Sequence, residues 1–259
     1  MRSTISALAL FLAAAPTQLF AWGFLGHEIA SDLSEAYLSP EAATQIRLLL
    51  PGESLAEAST WADRMRSDPS PFWQLEASPY HYVTVPTGKS YAEIGPPKQG
   101  DAITALARFS REIRDLSRSL EERRRALRFG IHIVQDLQQP LHVGNSRDRG
   151  GNDVTVVVDG KEETFHWLWD SLMFESQDLS KREWHARIRQ NSHLGTPTAS
   201  DADPLLWVSD SGELRDRIYP APQSLNRRYL DQWLPVAEDR IALAAVRTAA
   251  WLNWVFAAR

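Results

Sequence analysis

The sequence predicts an all-α protein, a single multi-helix domain with one small β-hairpin. Apolar residues recur at helical spacing along most of the chain. Proline, glycine and serine cluster between those stretches. Strand-like alternation is confined to one short segment.

In chain order, Gly26 to Leu38 carries a helical apolar pattern that stops at Ser39-Pro40. Pro40 to Leu50 starts the next helix and ends before Pro51-Gly52, and Glu53 to Met65 is a third. Phe72 to Val85, punctuated by Pro79 and Pro86, reads as extended or irregular. Ile103, Leu106, Phe109, Ile113 and Leu116 form an amphipathic stripe across Asp101 to Ser117. Glu121 to Leu137 is charged at its start, apolar through its middle and halted before Pro140. Val154 to Val158, Asp159-Gly160 and Lys161 to Phe165 make the hairpin. His166 to Phe174 and Lys181 to Arg189 return to helix. Asn191 to Gly212, rich in Ser, Thr, Pro and Asp, reads as a long surface loop. Gln223 to Ala258 closes the chain with one or two helices, a break being expected near Pro235.

The amino-terminal residues stand apart from this domain. Arg2, the apolar run Ile5 to Ala15 and the exit Pro16 to Ala21 have the layout of a secretory signal peptide. The run is too short for a comfortable membrane span. Cleavage after Ala15 would leave Pro16 following the cut, so cleavage after Ala21 is preferred; residues 1–21 are then the signal and 22–259 the mature domain. The expected location is secreted or periplasmic. The chain has no cysteine, so an exported form is stabilised by packing or by metal. A net charge of −5, one unit more negative without Arg2, argues against broad electrostatic grip on duplex nucleic acid. Ten tryptophans imply a large aromatic core.

The chemistry is concentrated in histidine and aspartate. His132 and Asp136 are four apart in a helix and so project from one face, as do His166 and Asp170. His142 lies between the two pairs, with Gly150-Gly151-Asn152-Asp153 after it. His27 sits five residues after Trp22, and His81 follows Asp63 in the next irregular segment. One such pair is usually a surface or capping pair, but two pairs with three further histidines suit metal ligation better. His185 and His193 fall outside the pattern and read as surface residues.

Several motifs resemble the S1/P1-type nucleases, zinc-dependent single-strand nucleases of the phospholipase C/P1 nuclease superfamily. They are Trp22-Gly23-Phe24-Leu25-Gly26-His27, Ser59-Thr60-Trp61-Ala62-Asp63, Tyr80-His81-Tyr82-Val83, His132-Ile133-Val134-Gln135-Asp136, Gln139-Pro140-Leu141-His142 and His166-Trp167-Leu168-Trp169-Asp170. The resemblance covers nearly the whole mature chain and suits a bacterial member. It implies three Zn²⁺ per chain. One would be held by the Trp22 amine and carbonyl with His27, a second by Asp63, His81 and His132 with Asp136 bridging to the first, and a third by His142, His166 and Asp170. It further implies cleavage of single-stranded DNA and RNA to 5′-phosphate products, with 3′-nucleotidase activity left open. Asp63 would orient the attacking water or accept its proton, and Arg66 would stabilise charge on the phosphate; Arg66 fits a solvated helix end equally well. Tyr82 is expected to stack on bases, or else to be a core tyrosine. Asn145 and Asn152 are expected to face substrate. Asn145 and Thr164-Phe165 depart from the family's usual residues, which bears on base preference. The alternative activity is that of a zinc-dependent phospholipase C, which shares the scaffold; His27 so close to Trp22, and Asp170 rather than Glu as last ligand, favour the nuclease. No stable protein partner is implied, and oligomeric state is not readable.

Overall fold

The computed structural model describes residues 22–158, 160–191, 195–220, 225 and 227–257. The signal-peptide segment, His193 and Asp159 lie outside the described residues. The fold is all-α, as the sequence predicts. The first helices are α1 (Phe24–Ser34), α2 (Pro40–Leu49), α3 (Leu55–Ser59) and α4 (Trp61–Arg64). After α5 (Tyr91–Ile94) come α6 (Ala102–Arg114) and α7 (Leu120–Asp136). The remainder are α8 (Phe165–Trp167), α9 (Met173–Glu175), α10 (Lys181–Asn191), α11 (Pro204–Ile218) and α12 (Arg227–Phe256). Two small sheets accompany them: a parallel pair of β1 (Val83–Thr84) with β2 (Val143–Gly144), and the hairpin β3 (Thr155–Val158) with β4 (Lys161–Thr164).

Local chemistry explains most of the boundaries. Ser119 accepts a hydrogen bond from Glu122 N while the Glu122 carboxylate accepts from Ser119 N, so a complete capping box starts α7. Asp101 caps α6 in the same reciprocal way with Thr104. The helix expected over Glu53–Met65 is divided at Thr60 into α3 and α4.

Three expectations are corrected. Phe72–Val85 is mostly helical in character: a π turn over Phe72–Glu76 and a 3-10 turn over Ser78–His81 precede the two residues of β1. The expected loop Asn191–Gly212 contains a 3-10 turn, Ala199–Ala202, and the first half of α11. Its Asp and Pro are a helix start rather than loop punctuation, because Asp203 caps Leu205 N at 2.9 Å and Pro204 takes the first helical position. The last helix does not break at Pro235; α12 runs through it for 30 residues.

Two apolar clusters build the core. One gathers α2, α6, most of α7 and Trp251 to Val255. The other gathers α1, the hairpin, α8 to α10 and Trp233 to Ala245. Helix α12 therefore contributes to both, and seven of the ten tryptophans are buried, which confirms the aromatic core. No described helix is long and apolar enough to cross a membrane.

Candidate metal centre

The candidate side chains come from the seam between the two clusters. Helix α1 brings His27, α4 brings Asp63, the turn before β1 brings His81, and α7 brings His132 and Asp136. A 3-10 turn, Pro140–His142, ends in His142; α8 carries His166, and the π turn Leu168–Leu172 carries Asp170. All eight are buried. They converge into three groups that could hold a metal ion: His27, His132 and Asp136; Asp63, His81 and His132; His142, His166 and Asp170.

The donor spacing suits a metal. Tetrahedral ligands on zinc bonds of roughly 2.1 Å sit about 3.4 Å from one another. Here His27 Nε2 is 3.3 Å from Asp136 Oδ1, His132 Nε2 is 3.1 Å from Asp136 Oδ2, and His166 Nε2 is 3.1 Å from Asp170 Oδ2. His132 Nε2 lies 3.6 Å from Asp63 Oδ1, and His81 Nδ1 lies 3.1 Å from Asp136 Oδ2. His142 links the groups, at 3.8 Å from both Asp136 and Asp170.

Tautomers are fixed from outside. The Nδ1 of His132 lies 2.6 Å from Ser59 O, that of His142 2.8 Å from His81 O, and that of His166 2.7 Å from Gly150 O. His27 Nδ1 lies 2.7 Å from Gln135 Oε1. Each oxygen is an acceptor, so Nδ1 carries the proton and Nε2 presents a bare lone pair inward, the usual support of a metal-binding histidine. His27 Nε2, His142 Nε2, Asp63 Oδ2, Asp136 Oδ1 and Asp170 Oδ2 are buried without a hydrogen-bond partner. Such orphaned acceptors are costly without a cation, so the residues fit a metal.

Electrostatically the rings differ. Burial, reinforced by Arg66, lowers the His81 pKa to about 3, so this ring is neutral and free to ligate. Burial also opposes charge on His132 and His166, but Asp136 and Asp63 outweigh it at the first and Asp170 at the second, raising both. Burial likewise opposes ionisation of Asp136, yet His132 and His142 prevail and hold its carboxyl well below the usual range.

Above the groups opens a cleft of about 650 Å³. Arg66, Tyr82, Arg149 and Asn152 line it, with the rings of His81, His142 and His166 at its floor. Arg66 Nη2 is 2.8 Å from Asp63 Oδ1 and 3.3 Å from His81 Nδ1, which places it at the cluster rather than at a solvated helix end. Tyr82 is 44% exposed, so it is a cleft wall and not a core tyrosine. Asn152 lines the cleft, but its Oδ1 is buried without a partner and its Nδ2 donates to Arg149 O at 2.8 Å; Asn145 does not line the cleft, its amide donating to Asp148 in the same loop and to Tyr219 just past α11. Trp22 is buried, its indole donates to Gln135 O at 3.1 Å, and Gly23 N donates to Asp170 O at 2.7 Å. The Trp22–Gly23 backbone thus runs against the Asp170 segment. His185 belongs to none of the three groups.

Sequence reasoning missed the supporting residues. Gln135 holds His27 and also donates to Ser31 Oγ, and Gln139 Nε2 donates to Asp170 Oδ1 at 2.5 Å. Their signal was three glutamines at 135, 138 and 139 around Asp136, in a stretch otherwise apolar enough to be core. Gly150 is equally required: its φ is +64°, and a Cβ there would lie 2.3 Å from Leu141 O.

An all-α scaffold with converging His/Asp groups under an open cleft has the layout of a metallohydrolase. A family model described as S1/P1 Nuclease matches residues 22–257. Nuclease P1 of Penicillium citrinum is 29% identical over 272 residues, covering 90% of this chain and 97% of its own. Nuclease S1 of Aspergillus oryzae is 29% identical over 293 residues, with 97% and 96% covered. Endonuclease 2 of Arabidopsis thaliana is 27% identical over 286 residues, with 96% and 95% covered. The chain belongs to the S1/P1 nuclease family and is a hydrolytic nuclease.

Proposed function

We propose that this nuclease is exported, holds three zinc ions and cleaves single-stranded DNA and RNA to 5′-phosphate products. The observation that carries the reading is the set of inward-facing Nε2 atoms, those of His27 and His142 without any partner, on rings whose Nδ1 is held by a fixed acceptor and beside buried carboxylate oxygens that also lack partners. His27 with the Trp22 main chain, then Asp63, His81 and His132, then His142, His166 and Asp170 would hold the three ions, and Asp136 would bridge the first two. When bound, zinc supplies Lewis-acid polarisation of phosphate oxygens and lowers the pKa of water.

The chain's own residues supply the rest. Asp63 keeps Oδ2 free to orient the attacking water or take its proton, while Oδ1 faces Arg66. Arg66 lines the cleft beside the cluster, where a guanidinium stabilises charge developing on phosphate. Tyr82 offers an exposed ring to an unpaired base; a duplex, whose bases are already stacked, cannot use it. Asn152 lines the cleft from the loop after β2, its amide held on Arg149 O.

The Trp22 amine becomes a ligand only if residues 1–21 are removed after Ala21. Protein recovered from an exporting host should begin at Trp22 and carry about three zincs with N/O ligation. It should release nucleotides from single-stranded DNA or RNA. Hydrolysis of phosphatidylcholine with no nucleotide release would establish the phospholipase alternative instead. A form beginning with Met ahead of Trp22 should lose one zinc and most turnover; full zinc and full turnover there would remove the amine from the ligand set.

A further inference from the structure

Helix α11 carries a buried arginine that neither the metal groups nor the cleft includes. Arg215 is 2% exposed. Its Nη1 shares two protons among three carbonyls, Val85 O and Val143 O at 2.7 Å and Gly144 O at 3.1 Å. Its Nε and Nη2 reach Asp216 Oδ1 at 2.8 and 2.7 Å, and Asp216 also accepts from Thr87 Oγ1 at 3.0 Å. Charge, burial and the fixed fork of the guanidinium make this a directional clamp.

What it clamps is the join between two halves of the site. His81 precedes β1 and belongs with Asp63 and His132; His142 precedes β2 and belongs with His166 and Asp170. The direct ties between these segments are a two-residue parallel ladder, Val85 N to Gly144 O at 2.8 Å, and the His142 Nδ1 contact with His81 O at 2.8 Å. So short a parallel pair holds register weakly. Arg215 reaches the chain on both sides of it, at Val85 and at Val143-Gly144.

We infer that Arg215 is a positioning residue that sets the separation of the His81 and His142 halves of the site, and through it the alignment of a phosphodiester engaged by both. The inference rests on the proposed metallonuclease reading. A phosphate gripped from one half and attacked or released from the other tolerates little misplacement. A shift of about 1 Å can cost on the order of 100-fold in rate without loss of binding groups.

The test uses the mature zinc-loaded enzyme with single-stranded DNA. Arg215→Met keeps the stem and removes every donor; Arg215→Lys keeps charge and one donor atom that can still meet the carbonyls. Arg215→Met should lower kcat by about 10- to 100-fold while KM moves far less. It should also yield zinc to a chelator faster than wild type, and Arg215→Lys should recover part of both. Should Arg215→Met fail to fold, Asp216→Asn loosens the guanidinium without removing a clamp donor, and should shift kcat and zinc release in the same direction. A lowered melting temperature with wild-type kcat, KM and zinc release, in either variant, would overturn the positioning role. A wild-type enzyme that holds no zinc and cleaves nothing would instead overturn the metallonuclease reading beneath it.

Discussion

Gly23 has no room for a side chain. A Cβ there would lie 2.2 Å from Ser171 Oγ, while Gly23 N donates to Asp170 O at 2.7 Å. With Ser171 Oγ where it stands, glycine lets the backbone after Trp22 lie against the segment that carries Asp170. In the mature enzyme, Gly23→Ala should therefore lose zinc and most activity, and adding Ser171→Ala should restore both, because the next atom, Ser171 Cβ, is at an ordinary 3.4 Å. A double variant as defective as the single one would show that this contact is not what glycine serves. Asp63→Asn makes a different point at the same scale. It keeps the ligand's shape but removes a charge and a proton acceptor, so turnover should collapse while most zinc remains on metal analysis. Candidate ligands such as these were legible in the sequence because His and Asp four apart project from one helix face at metal-ligand spacing. Gln135 and Gln139 were not, since a glutamine in a helix carries no signature until its partner is known.

The elements differ in how plainly they announced themselves. Helix α7 was readable from its charged start and apolar middle. What could not be read is why position 130 is glycine: a Cβ there would come within 2.3 Å of the Trp251 ring on α12. Gly130→Ala should gain helix propensity yet destabilise the fold by about 1–3 kcal/mol through overpacking, measured by denaturant unfolding. A gain in stability would mean that α12 yields easily. Helix α11 was missed because its buried face, Trp207, Val208, Ser211, Arg215 and Ile218, has a serine and an arginine where apolar residues would have marked the period. The polar pair is there for Arg240 and for the β1–β2 carbonyls. Pro235 misled in the opposite sense. It is exposed in the first third of α12, whose packing on both clusters holds the helix through it. Pro235→Ala should restore a backbone donor at about 3 kcal/mol, less about 1 kcal/mol for the freer unfolded chain, so the melting temperature should rise by several degrees. A fall would mean that the proline's local geometry is needed.

At the scale of the whole molecule, the two apolar clusters meet across a layer of five histidines and three aspartates. Helix α1 packs into one cluster and α7 mainly into the other, and His27 facing Asp136 is where they meet in this layer. The chain has no cysteine, so no disulfide crosses this seam. Without metal, the layer is a set of buried carboxylates and ring nitrogens crowded against one another, His81 Nδ1 lying 2.9 Å from His132 Nε2. Two acceptors at that distance repel unless a cation or a shared proton lies between them, so the ions of the proposed centre would be as much cross-link as catalyst. Linkage gives the size of the effect: a ligand present at a thousand times its dissociation constant stabilises by about 4 kcal/mol. For a domain of this size each kcal/mol moves the melting temperature by about 2–4 °C. Stripping the mature protein with a chelator should accordingly lower its melting temperature by about 10 °C or more, and added zinc should restore it. The loss should be much smaller in His27→Ala/His142→Ala, which removes one ligand from each outer group before the chelator arrives. If chelation empties the wild-type protein, as metal analysis would verify, and the melt does not move, the seam is held by packing alone and the metal serves only chemistry.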